Sequence, residues 1–376
     1  MSGPGRNRLR RGVPRGMLGA LLLIVLTERY VARHALEFVR PENWEWRLSA
    51  RESQRQALKA DVLGFGTSMV KMSVIPNVIE QRSGLRVYNL AVCGGLPPAS
   101  YFLLRRALES GAKPRSLVVD FHPHFITKDH WQAVGYWPDL LDLRDALDLS
   151  WTAHDATFFA HTMLARSIPS IGVRFQIRAE VRSALRGVDQ SLRNTNRNRN
   201  RQIVWRDRGA LTGGRNPQFQ GSIAASYTPM FLKEEWRCDP IQEIYIRRFL
   251  TLAANHGVPV YWLVPPLTPE LQDKRNRDHL DAPYDRFAHT LKDEFANLVV
   301  LDGRKSNYEH EVFLDAAHLD RQGATVLSSD LADLLGHGIG GQSGSRWLSL
   351  PRYQEQPVQR FVEASALQHG SPKVVR

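Results

Sequence analysis

Cysteine is almost missing from this chain: Cys93 and Cys238 are the only two among 376 residues. That scarcity excludes a disulfide framework, which needs several paired cysteines. One bridge between the two stays open for an exported protein, beside the simpler expectation of two unpaired, largely buried thiols. Long apolar runs are missing as well. "MLGALLLIVL", residues 17–26, offers ten apolar-run positions, where a plain transmembrane span takes roughly 20. Acidic residues are absent from positions 1–15, which hold Arg6, Arg8, Arg10, Arg11 and Arg15. No internal repeat is apparent, so nothing points to a solenoid or propeller.

What is present is ordinary in bulk: 43% hydrophobic and 23% charged residues, the composition of a globular protein with one large core or two modest ones. The net charge of +12 becomes informative once located. Five arginines in residues 1–15 give +5, and nine arginines against Asp189 and Asp207 in residues 182–215 give +7, so the remainder is neutral. A folded nucleic-acid-binding surface puts its basic residues on the globular part, and nucleic acid is therefore not an expected partner.

The N-terminal run has the length of a signal-peptide core, yet no clean small-x-small cleavage site follows it. Apolar residues continue thinly through Tyr30, Val31, Ala35, Leu36 and Phe38, interrupted by Glu28, Arg29 and Arg33. Residues 1–40 are best read as an uncleaved, single-pass membrane anchor; an interfacial or buried helix and a cleaved peptide are the alternatives. For an anchor, the arginine cluster favours a cytoplasmic N-terminus and an extracytoplasmic body.

From residue 60 onward, short apolar runs alternate with helical patterns. "DVLGFGTS" (61–68), "LRVYNLAV" (85–92), "SLVVDF" (116–121), "VPVYWLV" (258–264) and "FANLVVLD" (295–302) are strand candidates. "YFLLRRALESG" (101–111), "IQEIYIRRFLTLAANHG" (241–257) and "GATVLSSDLADLLG" (323–336) have helical spacing, the first two ending at a glycine. Strands separated by helices predict a parallel sheet covered on both faces. Residues 125–235 form an insertion. "WPDLLDLRDALDL" and "HDATFFAHTMLA" look helical, while "RNTNRNRNRQ" (193–202) is polar and aperiodic, so residues 187–225 are expected to be a loop. Phosphate or lipid-headgroup binding by its arginines is the lesser reading. Trp131, Tyr136 and Trp137 are expected to pack the insertion rather than stack on a sugar. The tail, residues 339–376, lacks clear periodicity.

Three stretches carry chemistry. Ser68 follows the first strand candidate in "GFGTSM". Gly94-Gly95 follows the second in "YNLAVCGG". Asp315 and His318 precede the last helix in "FLDAAHLDRQGA". A serine hydroxyl needs a base to accept its proton before it can attack. His318 would be that base and later protonate the leaving alkoxide, while Asp315 would orient the ring and stabilise its cation. Ser68 at the carboxyl end of a parallel strand sits where such sheets collect ligands. The spacing of His122, His124, Asp129 and His130 is too irregular for a metal site, and no cofactor is expected.

In this order the motifs resemble the SGNH, or GDSL-type, hydrolase superfamily, and more narrowly its membrane-anchored bacterial members. "GTS" is similar to the family's Gly-Asp-Ser block with Thr67 in place of aspartate, and "DAAHLDRQGA" to its Asp-x-x-His block. The resemblance covers residues 60–122 and 240–336. It implies a catalytic set of Ser68, Asp315 and His318. It also implies an oxyanion hole of the Ser68 and Gly94 N–H groups, each such donor being worth about 3 to 4 kcal/mol. The family's third block supplies an asparagine there; this chain reads "VVDFHPHF", and the His122 side chain is the expected replacement.

The expectation is thus a three-layer α/β/α, flavodoxin-like domain over residues 55–338 with a central parallel sheet of about five strands, interrupted by the 125–235 insertion. Its expected function is serine-dependent ester hydrolysis or acyl transfer on acetyl-like esters of an extracytoplasmic glycan. A non-catalytic subunit of an envelope assembly is the alternative.

Overall fold

The computed structural model describes residues 15–38, 41–168, 191–233, 235–337 and 345–354, with a few more within 178–187. The arginines at positions 6–11 and the tail beyond 354 lie outside the described residues. The architecture is α/β, with one all-parallel sheet of six strands in the order β2-β1-β3-β4-β5-β6. The strands are β1 (Val62–Phe65), β2 (Val87–Asn89), β3 (Ser116–Val119), β4 (Val260–Val264), β5 (Leu298–Asp302) and β6 (Trp347–Ser349). The first five fall within the five sequence candidates.

Strands β1 to β5 are buried throughout, as expected for a parallel sheet with helices on both faces. Alternation still sorts their side chains between two cores. Leu63, Phe65, Leu117, Val119, Val260, Trp262 and Val300 face one core, where the helices Pro97–Glu109 and Pro240–Asn255 pack. Val62, Val118, Tyr261, Leu263 and Val299 face the other, under the helices Pro76–Ser83 and Arg321–His337.

Three expectations are corrected, and a fourth, the membrane anchor, is left as it stood. First, the sheet has six strands rather than five. The sixth is Trp347–Ser349, in the segment expected to be a loose tail. Three residues carry no readable periodicity; tertiary contacts hold them. Val300 pairs with Trp347 in register, the Trp347 indole stacks on His289 at 4.1 Å, and Leu350 donates its N–H to the Asp302 carbonyl at 2.8 Å. Second, most of the expected 187–225 loop is ordered. Ser191–Arg206 is a helix held by charge on ring rather than by an apolar stripe. Arg201 lies over Trp44 at 5.6 Å and Arg51 over Trp205 at 5.5 Å, with Val204 as its buried apolar residue. Third, Arg15–Phe38 forms a 24-residue helix, but among the described residues no helix is long and apolar enough to cross a membrane. Glu28, Arg29 and Arg33 interrupt it. The single-pass anchor stays an expectation.

Fourth, the body extends upstream of residue 55. The helix Pro41–Glu52 docks on the insertion through buried Trp46, which stacks on Tyr136 at 5.3 Å and meets Trp137 edge-on at 5.1 Å. Trp131 and Trp137 spend their indole N–H groups on Asp155 and the His130 carbonyl, at 2.7 Å each. All three aromatics of this group pack the insertion. Cys93 and Cys238 are not joined in a disulfide.

Candidate active site

The sheet order reverses between β1 and β3, because β2 lies on one side of β1 and β3 to β6 on the other. In open parallel sheets the crevice at the carboxyl ends beside such a reversal is the usual ligand site. The segments leaving β1, β2 and β3 carry Ser68, Gly94 and His122 to that edge.

The Ser68 turn is built around a buried acid. Asp120, just past the end of β3, accepts the Thr67 N–H at 2.7 Å and the Thr67 hydroxyl at 2.6 Å. Thr67 in turn caps the helix Ser68–Ser73, its Oγ1 accepting the Met69 N–H at 3.1 Å. Gly66 lets the two strands close up: it has φ +119°, and a Cβ there would lie 2.0 Å from Asp120 Oδ1. Burial pushes the Asp120 carboxyl up to about 6, against the hydrogen bonds from Thr67. Ser68 occupies the first helical position, where a backbone N–H has no partner within the helix.

The β2 exit is shaped by buried Asn89. Its side-chain amide donates to the Val70 and Val74 carbonyls at 2.9 and 3.0 Å, and its oxygen accepts the Ala91 N–H at 3.0 Å. One side chain thus ties the nucleophile helix to the loop that carries Gly94. Gly94 has φ +69° with nothing around a Cβ site, while Gly95 packs so closely that a Cβ would come within 2.4 Å of the Gly66 carbonyl oxygen. The pair makes a tight turn whose outer residue faces open space.

His318 arrives from the far end of the chain. Phe313 and Leu319 form an antiparallel bridge, and the Leu314 N–H donates to the His318 carbonyl at 2.8 Å. Inside this tight loop Asp315 Oδ1 accepts the Ala317 and His318 N–H groups at 3.0 and 2.9 Å. Both Asp315 oxygens also lie on His318 Nδ1, at 3.0 and 2.9 Å. A carboxylate accepts only, so the ring proton resides on Nδ1 and Nε2 keeps its lone pair. Nε2 is 2.8 Å from Ser68 Oγ. Burial works against ionising Asp315, but the His318 ring and the two N–H groups hold its carboxyl down at about 2. Ser68, Asp315 and His318 are all half-buried, so the relay is reachable from solvent.

His122 is buried beside this relay. Its Nδ1 accepts the His124 N–H at 3.2 Å. Burial lowers its basicity well below that of a free imidazole, and the Arg275 charge, with any that forms on His124 or His318, acts in the same direction. A neutral ring whose Nδ1 is an acceptor carries its proton on Nε2, so His122 offers one N–H donor. The structure thus brings Ser68, Asp315 and His318 into one hydrogen-bonded relay and places Gly94 and His122 at the same end of the sheet.

Sequence reasoning missed three contributors. Asp120 was visible only as a carboxylate closing an apolar strand. Tyr227 lies beside Asp315, whose charge and hydrogen bond, added to burial, push the phenol up. Phe231 stacks on Tyr227 at 5.5 Å and meets the His122 ring edge-on at 5.1 Å. Both aromatics belong to the aperiodic end of the insertion, which gives no pattern from which to read them. Among the described residues no group of three or more metal-ligating side chains converges. No protein-family model matches the chain, and no curated protein matches it.

Proposed function

We propose that this chain is a serine-dependent esterase or O-acyltransferase of the SGNH type, acting on short, acetyl-like esters of an extracytoplasmic glycan. The observation that carries the reading is the unbroken relay from Asp315 through His318 to Ser68 Oγ. In it, His318 Nε2 takes the serine proton as Oγ attacks the ester carbonyl. Asp315 stays ionised throughout and stabilises the ring cation that forms. The Ser68 and Gly94 N–H groups and the neutral His122 N–H receive the developing oxyanion, and His318 returns its proton to the leaving sugar alkoxide. Attack on the acyl-serine by water gives hydrolysis; attack by a sugar hydroxyl gives transfer.

A fluorophosphonate probe tests the nucleophile. Labelling of the purified chain at Ser68, lost in Ser68→Ala together with an at least thousandfold drop in ester turnover (roughly the scale of a missing triad serine), is the expected result. Absence of labelling in the wild type defeats the enzyme reading. Acetate release from acetylated glycans, measured with and without acceptor sugar, then separates esterase from transferase. The second reading, a non-catalytic subunit of an envelope assembly, draws on the lack of a third-block asparagine and is the outcome that absent labelling selects.

A further inference from the structure

Beside His122 the structure holds a small cleft that the relay does not use. Its walls are Phe231 from the insertion, Val264 and Pro265 at the end of β4, Leu267 and Pro123. Arg275, Asp281, Tyr284 and Arg304 complete its polar lining with His122. Two arginines suggest an anion site, yet their donors are already committed. Arg275 donates to Asp281 Oδ1 through Nε at 3.0 Å and through Nη2, and to the Phe231 carbonyl through Nη1. Arg304 donates to Asp302 at 2.9 and 2.7 Å and pairs with Asp285 at 2.9 Å. Three carboxylates face two guanidiniums, so a further anion meets no net positive charge. What the cleft offers a ligand is apolar wall beside a satisfied polar layer.

That cleft adjoins the reacting centre at His122, which lines it. Phe231 touches the His122 ring on one side and Tyr227, the neighbour of Asp315, on the other. Phe231 and Leu267 also pack in one apolar cluster with Met69, which follows the nucleophile, and with Ala316 and Ala317, which lie between Asp315 and His318. The geometry points to this cleft as the acyl subsite: a short, unbranched acyl chain lies along Phe231 and Leu267 with its carbonyl oxygen toward His122, and Phe231 sets the chain length accepted. The inference rests on the serine-esterase reading and adds its acyl specificity. On this placement the subsite takes a chain of two carbons, and a longer one meets the Arg275–Asp281 pair, whose committed hydrogen bonds it would break without replacing.

The test uses the full chain and the p-nitrophenyl esters of acetate, butyrate and octanoate, with kcat/KM as the readout. Wild type is expected to favour acetate. Phe231→Ala raises the butyrate-to-acetate ratio at least about tenfold, the low end of what one accommodated methylene is worth in an apolar pocket. Leu267→Ala, on another wall, shifts the ratio the same way and decides the matter should Phe231→Ala fail to fold, as judged by circular dichroism. Wild-type preference for octanoate, or an unchanged ratio in the folded variants with Ser68 still labelled by fluorophosphonate, overturns the subsite and leaves the esterase reading standing. Absence of both labelling and hydrolysis in the wild type overturns the two together.

Discussion

Asp120 and Asp315 are the two carboxylates of the site, and their surroundings push them in opposite directions. Asp120 is fully enclosed, so burial outweighs the two Thr67 hydrogen bonds and its carboxyl sits at about 6. Asp315 is partly open and touches the His318 ring, so the ring outweighs burial and its carboxyl sits at about 2. An unfolded aspartate titrates at about 3.8. The folded state therefore favours the proton at Asp120 and disfavours it at Asp315. The stability advantage of wild type over Asp315→Asn should be present above about pH 4 and shrink as pH falls toward 2. The advantage over Asp120→Asn should run the other way, being full below about pH 4 and shrinking as pH rises through 6. Urea unfolding of the three proteins across pH 2 to 8 checks both slopes; equal slopes would contradict the assigned environments. At neutral pH, Asp120→Asn also sets an amide N–H against a Thr67 hydroxyl that already donates, a mismatch costing on the order of 1 to 3 kcal/mol. The triad residues were legible because two of them sit three apart in one short loop and the third ends a strand run. Asp120 was not, because its role depends on a partner 53 residues away in sequence.

At the scale of elements, the strands were readable because each pairs inside a continuous apolar run. The helix Ser191–Arg206 was not, because rings supplied by the Pro41–Glu52 helix and its own Trp205 replace the missing apolar stripe. The segment that follows it is tied down by one buried acid. Asp207 accepts Arg206 Nε at 2.8 Å, Thr212 Oγ1 at 2.9 Å and Arg321 Nη1 at 3.0 Å. Burial raises its carboxyl and these cations more than reverse that, leaving it below the usual range. The Asn89 N–H donates to the Arg208 carbonyl and the Leu211 N–H to the Lys71 carbonyl, at 3.0 and 2.9 Å. Asn216 reaches the Leu314 carbonyl at 2.9 Å. Residues 207–232 thus run from the β2 edge across the triad loop to Phe231. Asp207→Ala strands two guanidiniums and should destabilise this strap by on the order of 1 to 3 kcal/mol, discounted because both arginines reach solvent. Hydrogen exchange should then quicken across 207–232 ahead of the strands, with kcat falling as Tyr227 and Phe231 loosen. Uniform quickening over the whole sheet would show instead that the strap is not a separate unit.

Across the whole molecule, one sheet reversal explains why residues 250 positions apart meet, Ser68 leaving β1 and His318 preceding the last helix. The parallel sheet and its two covered faces were legible, since alternating strand and helix patterns admit few other packings. The N-terminal helix was not, because a run of ten apolar residues, though best read as an anchor, also suits an interfacial helix or a signal core. In the structure Leu18, Leu21, Leu22, Ile24 and Leu26 of the Arg15–Phe38 helix are all exposed, and Arg6, Arg8, Arg10, Arg11 and Arg15 precede them. Exposed leucines next to a cationic segment favour the surface of an anionic bilayer, each basic residue near it contributing about 1 kcal/mol. With those leucines outward, the helix is expected to lie in the interface. The full chain is then expected to float with vesicles containing anionic lipid and to be stripped from them by alkaline carbonate. Leu21→Glu with Leu22→Glu should abolish flotation while the acetate ester is still turned over. Retention through carbonate would mean a true span, and flotation on purely zwitterionic vesicles would mean that the arginines play no part.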